Sequence, residues 1–109
     1  MRIISIKDRG SPYSLRVFAI ARFRVEPSQH EEFLERLRTA HDALKSCAGY
    51  LSGEIGLNTD EPGLIALVTR WENIGSYRRA LSNFQVKVDA VPVLAQAIDE
   101  PGGYVGPNE

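Results

Sequence analysis

The sequence predicts an α+β domain in which one antiparallel sheet carries its helices on a single face. Three observations lead there. Residues 15–25 and 50–57 alternate apolar and polar at the two-residue period of a strand. Residues 33–47 instead place Phe33, Leu37, Ala40, Leu44 and Cys47 at helical spacing, with Leu34 beside them. The branched run 64–71 follows a loop, 58–63, of ordinary hairpin-connection length, so it returns antiparallel to the strand before it.

Taken in order, residues 1–14 open with an Ile-rich run and reach the turn-rich Asp8-Arg9-Gly10-Ser11-Pro12, which reads as an N-terminal extension to a domain over 15–109. The first strand sets Val17, Ala19, Ala21, Phe23 and Val25 on one side and Phe18, Ile20, Arg22 and Arg24 on the other. Its first half is apolar on both faces and calls for cover on both. Ser28-Gln29-His30-Glu31 fits a capping box that starts the first helix, and Gly49 is the residue type that most often closes one. In the second strand Leu51, Ile55 and Leu57 lie opposite Tyr50, Ser52 and Glu54, with Gly53 and Gly56 leaving room for a bulge. Glu61-Pro62-Gly63 bounds the third strand, which ends on the only tryptophan, Trp71.

Asn73 then caps a helix whose apolar stripe is Ile74, Tyr77, Leu81 and Phe84. Asn83 interrupts it, and a second segment over 84–97 repeats the pattern at Val86, Ala90, Val93, Leu94 and Ala97, with a kink or break at Pro92. After a turn over 99–103, Tyr104 and Val105 form a short last strand.

Composition narrows the function. A 109-residue chain makes one domain and buries roughly two-thirds of the surface its unfolded form exposes. Thirteen basic and fourteen acidic residues leave a net charge of -1, so no global field draws nucleic acid or an anionic membrane. No apolar run reaches the length of a membrane span, and the N-terminus is charged too early for a signal-peptide core. With Cys47 alone no internal disulfide forms, and a cytoplasmic location is expected.

The candidate site is the turn from the third strand into its helix. Trp71 stands at the strand's carboxyl end and Tyr77 on the second helical turn, so an indole and a phenol can share a pocket. Arg70, beside Trp71, could hold an acidic substrate group. Arg78, Arg79 and Lys87 read as a solvated basic face, and Cys47 as a small buried hydrophobe. His30 and His41 lie on one helix about three turns apart, too far to share a metal, and read as solvated or helix-flank histidines. No phosphate-binding fingerprint or nucleophilic triad can be assembled. The sheet's second face, with Phe18, Ile20 and either Leu64, Ala66 and Val68 or Ile65 and Leu67, calls for a second copy of the chain to cover it.

The element order, together with Trp71-Glu72-Asn73 leading into Tyr77-Arg78-Arg79-Ala80, resembles the antibiotic biosynthesis monooxygenase family of dimeric α+β barrel proteins with a ferredoxin-like fold. The resemblance spans about residues 15–105. It implies a homodimer acting on a small aromatic molecule, and in the branch that oxidises aromatic polyketides it implies a cofactor-independent monooxygenase for a phenol or anthrone. In that branch the strand-ending Trp and a Tyr six positions on line the pocket, as Trp71 and Tyr77 do here. An Asn four positions before the Trp binds a substrate oxygen there, and this chain has Leu67 at that place. A haem-degrading branch ligates iron through a His after the Trp strand, whereas residues 74–97 contain no His. The expected site is therefore Trp71 and Tyr77 as catalytic residues, with Arg70, Phe23, Leu67, Leu81 and Phe84 binding substrate and neither metal nor cofactor. The alternatives are a dimeric binding or accessory protein without catalysis, and a polyketide cyclase of the same fold.

Overall fold

The computed structural model describes residues 16–107, so the expected extension over 1–14 lies outside the described residues. Four strands, β1 (Val17–Arg24), β2 (Tyr50–Leu57), β3 (Leu64–Trp71) and β4 (Gly103–Val105), form one antiparallel sheet in the order β2-β3-β1-β4. Helix α1 (His30–Lys45) connects β1 to β2. Three short helices, α2 (Ile74–Leu81), α3 (Phe84–Asp89) and α4 (Val91–Leu94), connect β3 to β4. This is the ferredoxin-like α+β arrangement.

The core lies between sheet and helices. In register, β1 pairs Val17 with Trp71, Ala19 with Thr69, Ala21 with Leu67 and Phe23 with Ile65, which puts these residues on one face. Leu37, Ala40 and Leu44 of α1, with Val86, Ala90 and Val93 from the later helices, close over that face. The choice left open for β3 is thereby settled: Ile65 and Leu67 face the helices, and Leu64, Ala66 and Val68 share the other side with Phe18 and Ile20.

Several local expectations need correcting. Pro27 opens a 3-10 turn over Pro27–Gln29, so Ser28 already lies inside a helical turn and α1 begins at His30 without a side-chain cap. The capping box does not form because its Ser is not at the boundary. In β2 the register shifts between Tyr50 and Ser52, and Leu51 becomes the extra residue of a bulge. Tyr50 consequently pairs with Trp71 on the same side as Ile55 and Leu57, while Leu51 is exposed. The last helical segment breaks at Ala90 and stops at Leu94 rather than running to residue 97.

Asn73 caps α2 and Asn83 interrupts the helical run, as expected. Gly49 does not close α1, which ends at Lys45 with Ser46 as its C-cap; it adopts φ +90° in the turn before β2, where a Cβ would run into the Ser76 side chain. Asn73 accepts a hydrogen bond from the Ser76 N–H at 2.9 Å, and Asn83 accepts one from the Val86 N–H at 3.1 Å. Asn73→Ala is expected to lower the unfolding free energy by about 1 kcal/mol, the usual loss for an N-cap, measurable as a reduced urea midpoint with unchanged slope. Beyond α4 the chain runs back along β1: the Ile98 N–H donates to the Arg22 carbonyl and the Ile20 N–H to the Gly102 carbonyl, both at 2.7 Å. The Arg22 guanidinium also grips the Glu100 carboxylate through two bonds of 2.7 and 2.8 Å.

Candidate functional site

Between the helix face of the sheet and α2 and α4 lies a small cavity of about 50 Å³. Ala19, Leu67, Thr69, Tyr77, Leu81 and Leu94 line it, so its walls are mainly apolar. Trp71 stands behind Tyr77 with no solvent exposure, and the two ring centroids are 5.8 Å apart. The Asn73 cap places Tyr77 here, because it fixes where α2 begins and so which residue one turn on faces β3. Burial pushes the Tyr77 hydroxyl above the ordinary phenol value and keeps it protonated. Among the described residues this hydroxyl has no hydrogen-bond partner, whereas the Trp71 indole N–H donates to the Thr69 hydroxyl at 2.9 Å.

Of the expected site residues, the structure brings Trp71, Tyr77, Leu67 and Leu81 together. Three others lie elsewhere. Arg70 is exposed on the opposite face, in a groove shared with Phe18, Leu51 and Ser52, because neighbours on a strand point to opposite sides. Phe23 is buried against Phe33, ring centroids 5.0 Å apart, six residues along β1 from the partner of Trp71 and so about 20 Å away. Phe84 is 77% exposed, since the Asn83 cap restarts the helix and turns Val86 and Ala90 inward in its place.

The sequence reading missed two residues. Tyr50, carried to the helix face by the bulge, packs edge-on against Trp71 with centroids 5.4 Å apart and ring planes at 89°. Its hydroxyl lies 2.8 Å from Nε2 of His41, which is buried and not solvated. The signal for His41 was present in the sequence: it falls one turn after Leu37 on the apolar stripe of α1. Cys47 lies just past the end of α1, packed against the core, and burial raises its thiol. Among the described residues no group of three or more His, Cys, Asp or Glu side chains converges, and no helix is long and apolar enough to cross a membrane.

Burial lowers the His41 pKa, with Lys45 adding to the effect and Asp42 opposing it. The unfolded chain therefore binds a proton more readily than the folded one at this position. Its contribution to stability is complete above the ordinary value of 6.5 and is lost as pH falls through that value toward the depressed one. The urea midpoint should accordingly decline between about pH 7.5 and pH 5, and His41→Gln should flatten that decline. An identical decline in the variant would show that other groups carry it.

Fold and pocket together define a small ferredoxin-like α+β protein with an aromatic wall between sheet and helices. A family model for antibiotic biosynthesis monooxygenase matches residues 16–88, and the chain belongs to that family. Among solved structures it is similar to SnoaB, a cofactor-independent oxygenase from Streptomyces nogalater, at 18% identity and a TM-score of 0.73, over 87% of this chain and 96% of that one. It is also similar to a putative antibiotic biosynthesis monooxygenase from Chloroflexus aurantiacus, at 20% identity and a TM-score of 0.66, covering 86% and 95% of the two chains. A conserved protein from Methanosarcina mazei matches at 15% identity and a TM-score of 0.70, over 88% and 95%. These likenesses show the fold. No curated protein matches the chain.

Proposed function

We propose that this protein is a homodimeric oxygenase that oxidises an aromatic phenol or anthrone with molecular oxygen and without a cofactor. The observation that carries the reading is Tyr77 on the wall of an apolar cavity backed by Trp71, its hydroxyl protonated and without a hydrogen-bond partner among the described residues. Such a phenol is a free donor for a substrate oxygen, and its hydrogen bond strengthens as that oxygen becomes an anion. The substrate gives its proton to a base in solution, the anion passes one electron to O2, and the resulting radical pair joins to a peroxide anion that takes a proton back. Loss of water from the peroxide then leaves one oxygen atom as a carbonyl. The substrate supplies the electrons, while the protein supplies placement and exclusion of water.

Two features shape this chemistry. Leu67 lines the cavity where the related oxygenases have an Asn, so polar contact with the substrate falls to Tyr77, with Thr69 as the other hydroxyl of the lining. The cavity of about 50 Å³ is also well below the roughly 300–1,000 Å³ of sites that hold drug-sized ligands. Binding must therefore displace Leu81 and Leu94, which sit on the short helices α2 and α4. The same apolar lining favours a second reading, a binding or accessory protein that holds an aromatic molecule without turnover.

Oxygen uptake separates the two. Chelator-treated protein given an anthrone, with no flavin or nicotinamide, is expected to consume O2 above the spontaneous rate. Tight binding of an anthrone or phenol across a panel without any uptake would reject the oxygenase in favour of the binding protein. Product rearranged without oxygen uptake would indicate a cyclase. The dimer is supported by the outer sheet face, where Phe18 stacks on Tyr104 at 5.3 Å beside half-buried Ile20, Ala66 and Val68.

A further inference from the structure

Behind the cavity the aromatic side chains continue. Tyr77 lies on the cavity wall, Trp71 is next to it, Tyr50 meets Trp71 edge-on, and His41 ends the series against the Tyr50 hydroxyl. Successive ring centroids are 5.8 and 5.4 Å apart, and the last link is a hydrogen bond of 2.8 Å. The series begins at the cavity and ends on half-buried Tyr50, the first residue of an edge strand. Both also pack against the core, and among the described residues the contact between them is the one side-chain hydrogen bond that either makes.

We propose that Tyr77, Trp71 and Tyr50 form a route by which an oxidising equivalent leaves the cavity, the Tyr50 proton passing to His41 as its electron departs. The direction follows from where each proton can go. An oxidised phenol is a very strong acid, and Tyr77 has no basic partner among the described residues to take its proton. The Trp71 N–H donates to the hydroxyl of Thr69, which is no base, so the oxidised indole keeps its proton and remains a strong oxidant. Tyr50 differs from both. In the tautomer of neutral His41 that carries its proton on Nδ1, Nε2 accepts from the Tyr50 hydroxyl 2.8 Å away, so the proton passes along that hydrogen bond. The step balances as one electron from Tyr50 to the Trp71 radical cation and one proton from Tyr50 to His41, giving a neutral phenoxyl radical and an imidazolium. A thiol in solution can then restore Tyr50 by giving up a hydrogen atom.

The sheet is shaped around this pair. A Cβ at Gly53 would stand 2.6 Å from the Val68 carbonyl oxygen, 2.7 Å from the Tyr50 hydroxyl and 2.9 Å from His41 Nε2, so a glycine here serves both the close strand approach and the space in which the two side chains meet. In the cell the oxidant would be an oxygen-centred radical that escapes recombination in the cavity, and to that extent the inference rests on the oxygenase reading. The route itself does not, and it can be tested without any substrate.

The chain has one tryptophan, so flash photo-ionisation of the full-length protein produces a single indole radical. A phenoxyl absorption should rise as the indole radical decays, and the transfer should slow in deuterium oxide. Tyr50→Phe, which keeps the ring, should remove the phenoxyl phase and lengthen the indole radical's life. His41→Gln should slow the transfer about tenfold or more, the order expected for losing one hydrogen bond together with the base that takes the proton. Unchanged indole decay in either variant, or loss of the phenoxyl signal in Tyr77→Phe instead, would overturn the proposal. If a variant fails to fold, the unaltered protein still decides, because transfer with no deuterium effect contradicts proton transfer to His41. Failure here leaves the oxygen-uptake result untouched, and failure of oxygen uptake leaves this one untouched.

Discussion

Trp71→Ala is expected to lower the unfolding free energy by about 3–5 kcal/mol, the usual range for truncating a large buried aromatic. Trp71 has no solvent exposure and touches both Tyr50 and Tyr77, so its removal leaves a cavity that β1, β3 and α2 cannot close without shifting. It also strands the Thr69 hydroxyl, a buried group that loses the donor it now has. Since a domain's whole stability is about 5–15 kcal/mol, the variant should approach unfolding at ordinary temperature. Urea denaturation measures the difference, and Trp71→Phe should recover part of it. A loss below about 1 kcal/mol for the alanine variant would mean that the rings around position 71 repack freely, contrary to the packing described.

Val68→Asp is expected to convert the protein from dimer to monomer. Val68 lies on the outer face of β3, paired with Ile20 across the sheet centre, where a second copy would sit. A two-fold interface meets each substitution twice, so two carboxylates would be desolvated without partners. The effect on association should be several kcal/mol, while the fold, whose core lies on the other face, should persist. Light scattering after size exclusion should give about twice the chain mass of 12.1 kDa for the unaltered protein and the single mass for the variant. An unaltered protein that runs as a monomer would remove the proposed interface, and a variant that stays dimeric would move it elsewhere.

Much of this fold was legible because its signals are local. The alternation over 15–25, the branched run 64–71, the short loop between β2 and β3, and Asn73 and Asn83 each act within a few residues, and each appears in the structure as a strand, a turn or a cap. The errors came where a neighbour outcompeted the local pattern. Pro27 tightened the turn before α1 and moved the boundary past Ser28. One extra residue at Leu51 reversed the faces of the start of β2, and with it the role of Tyr50. The cap at Asn83 turned Phe84 outward. Strand alternation alone would have separated Arg70 from Trp71. The site was thus half readable: Trp71 and Tyr77 follow from strand end and helix start, but the His41–Tyr50 pair depends on a bulge that two glycines allow without fixing its place.

The central claim is that chemistry occurs at Tyr77, and the initial rate of oxygen uptake with Tyr77→Phe tests it most directly. The substitution deletes one hydroxyl that has no described partner, so it creates no cavity and should leave the fold and the dimer unchanged. With Leu67 offering no polar group, the wall presents to a substrate oxygen this hydroxyl and that of Thr69, which already accepts from Trp71. Removing a hydrogen bond that strengthens as charge develops should lower the rate of anthrone oxidation about 10²–10³-fold, as loss of one oxyanion-stabilising donor does elsewhere. A variant that consumes oxygen as fast as the unaltered protein, with the same dimer mass and stability, would contradict the account.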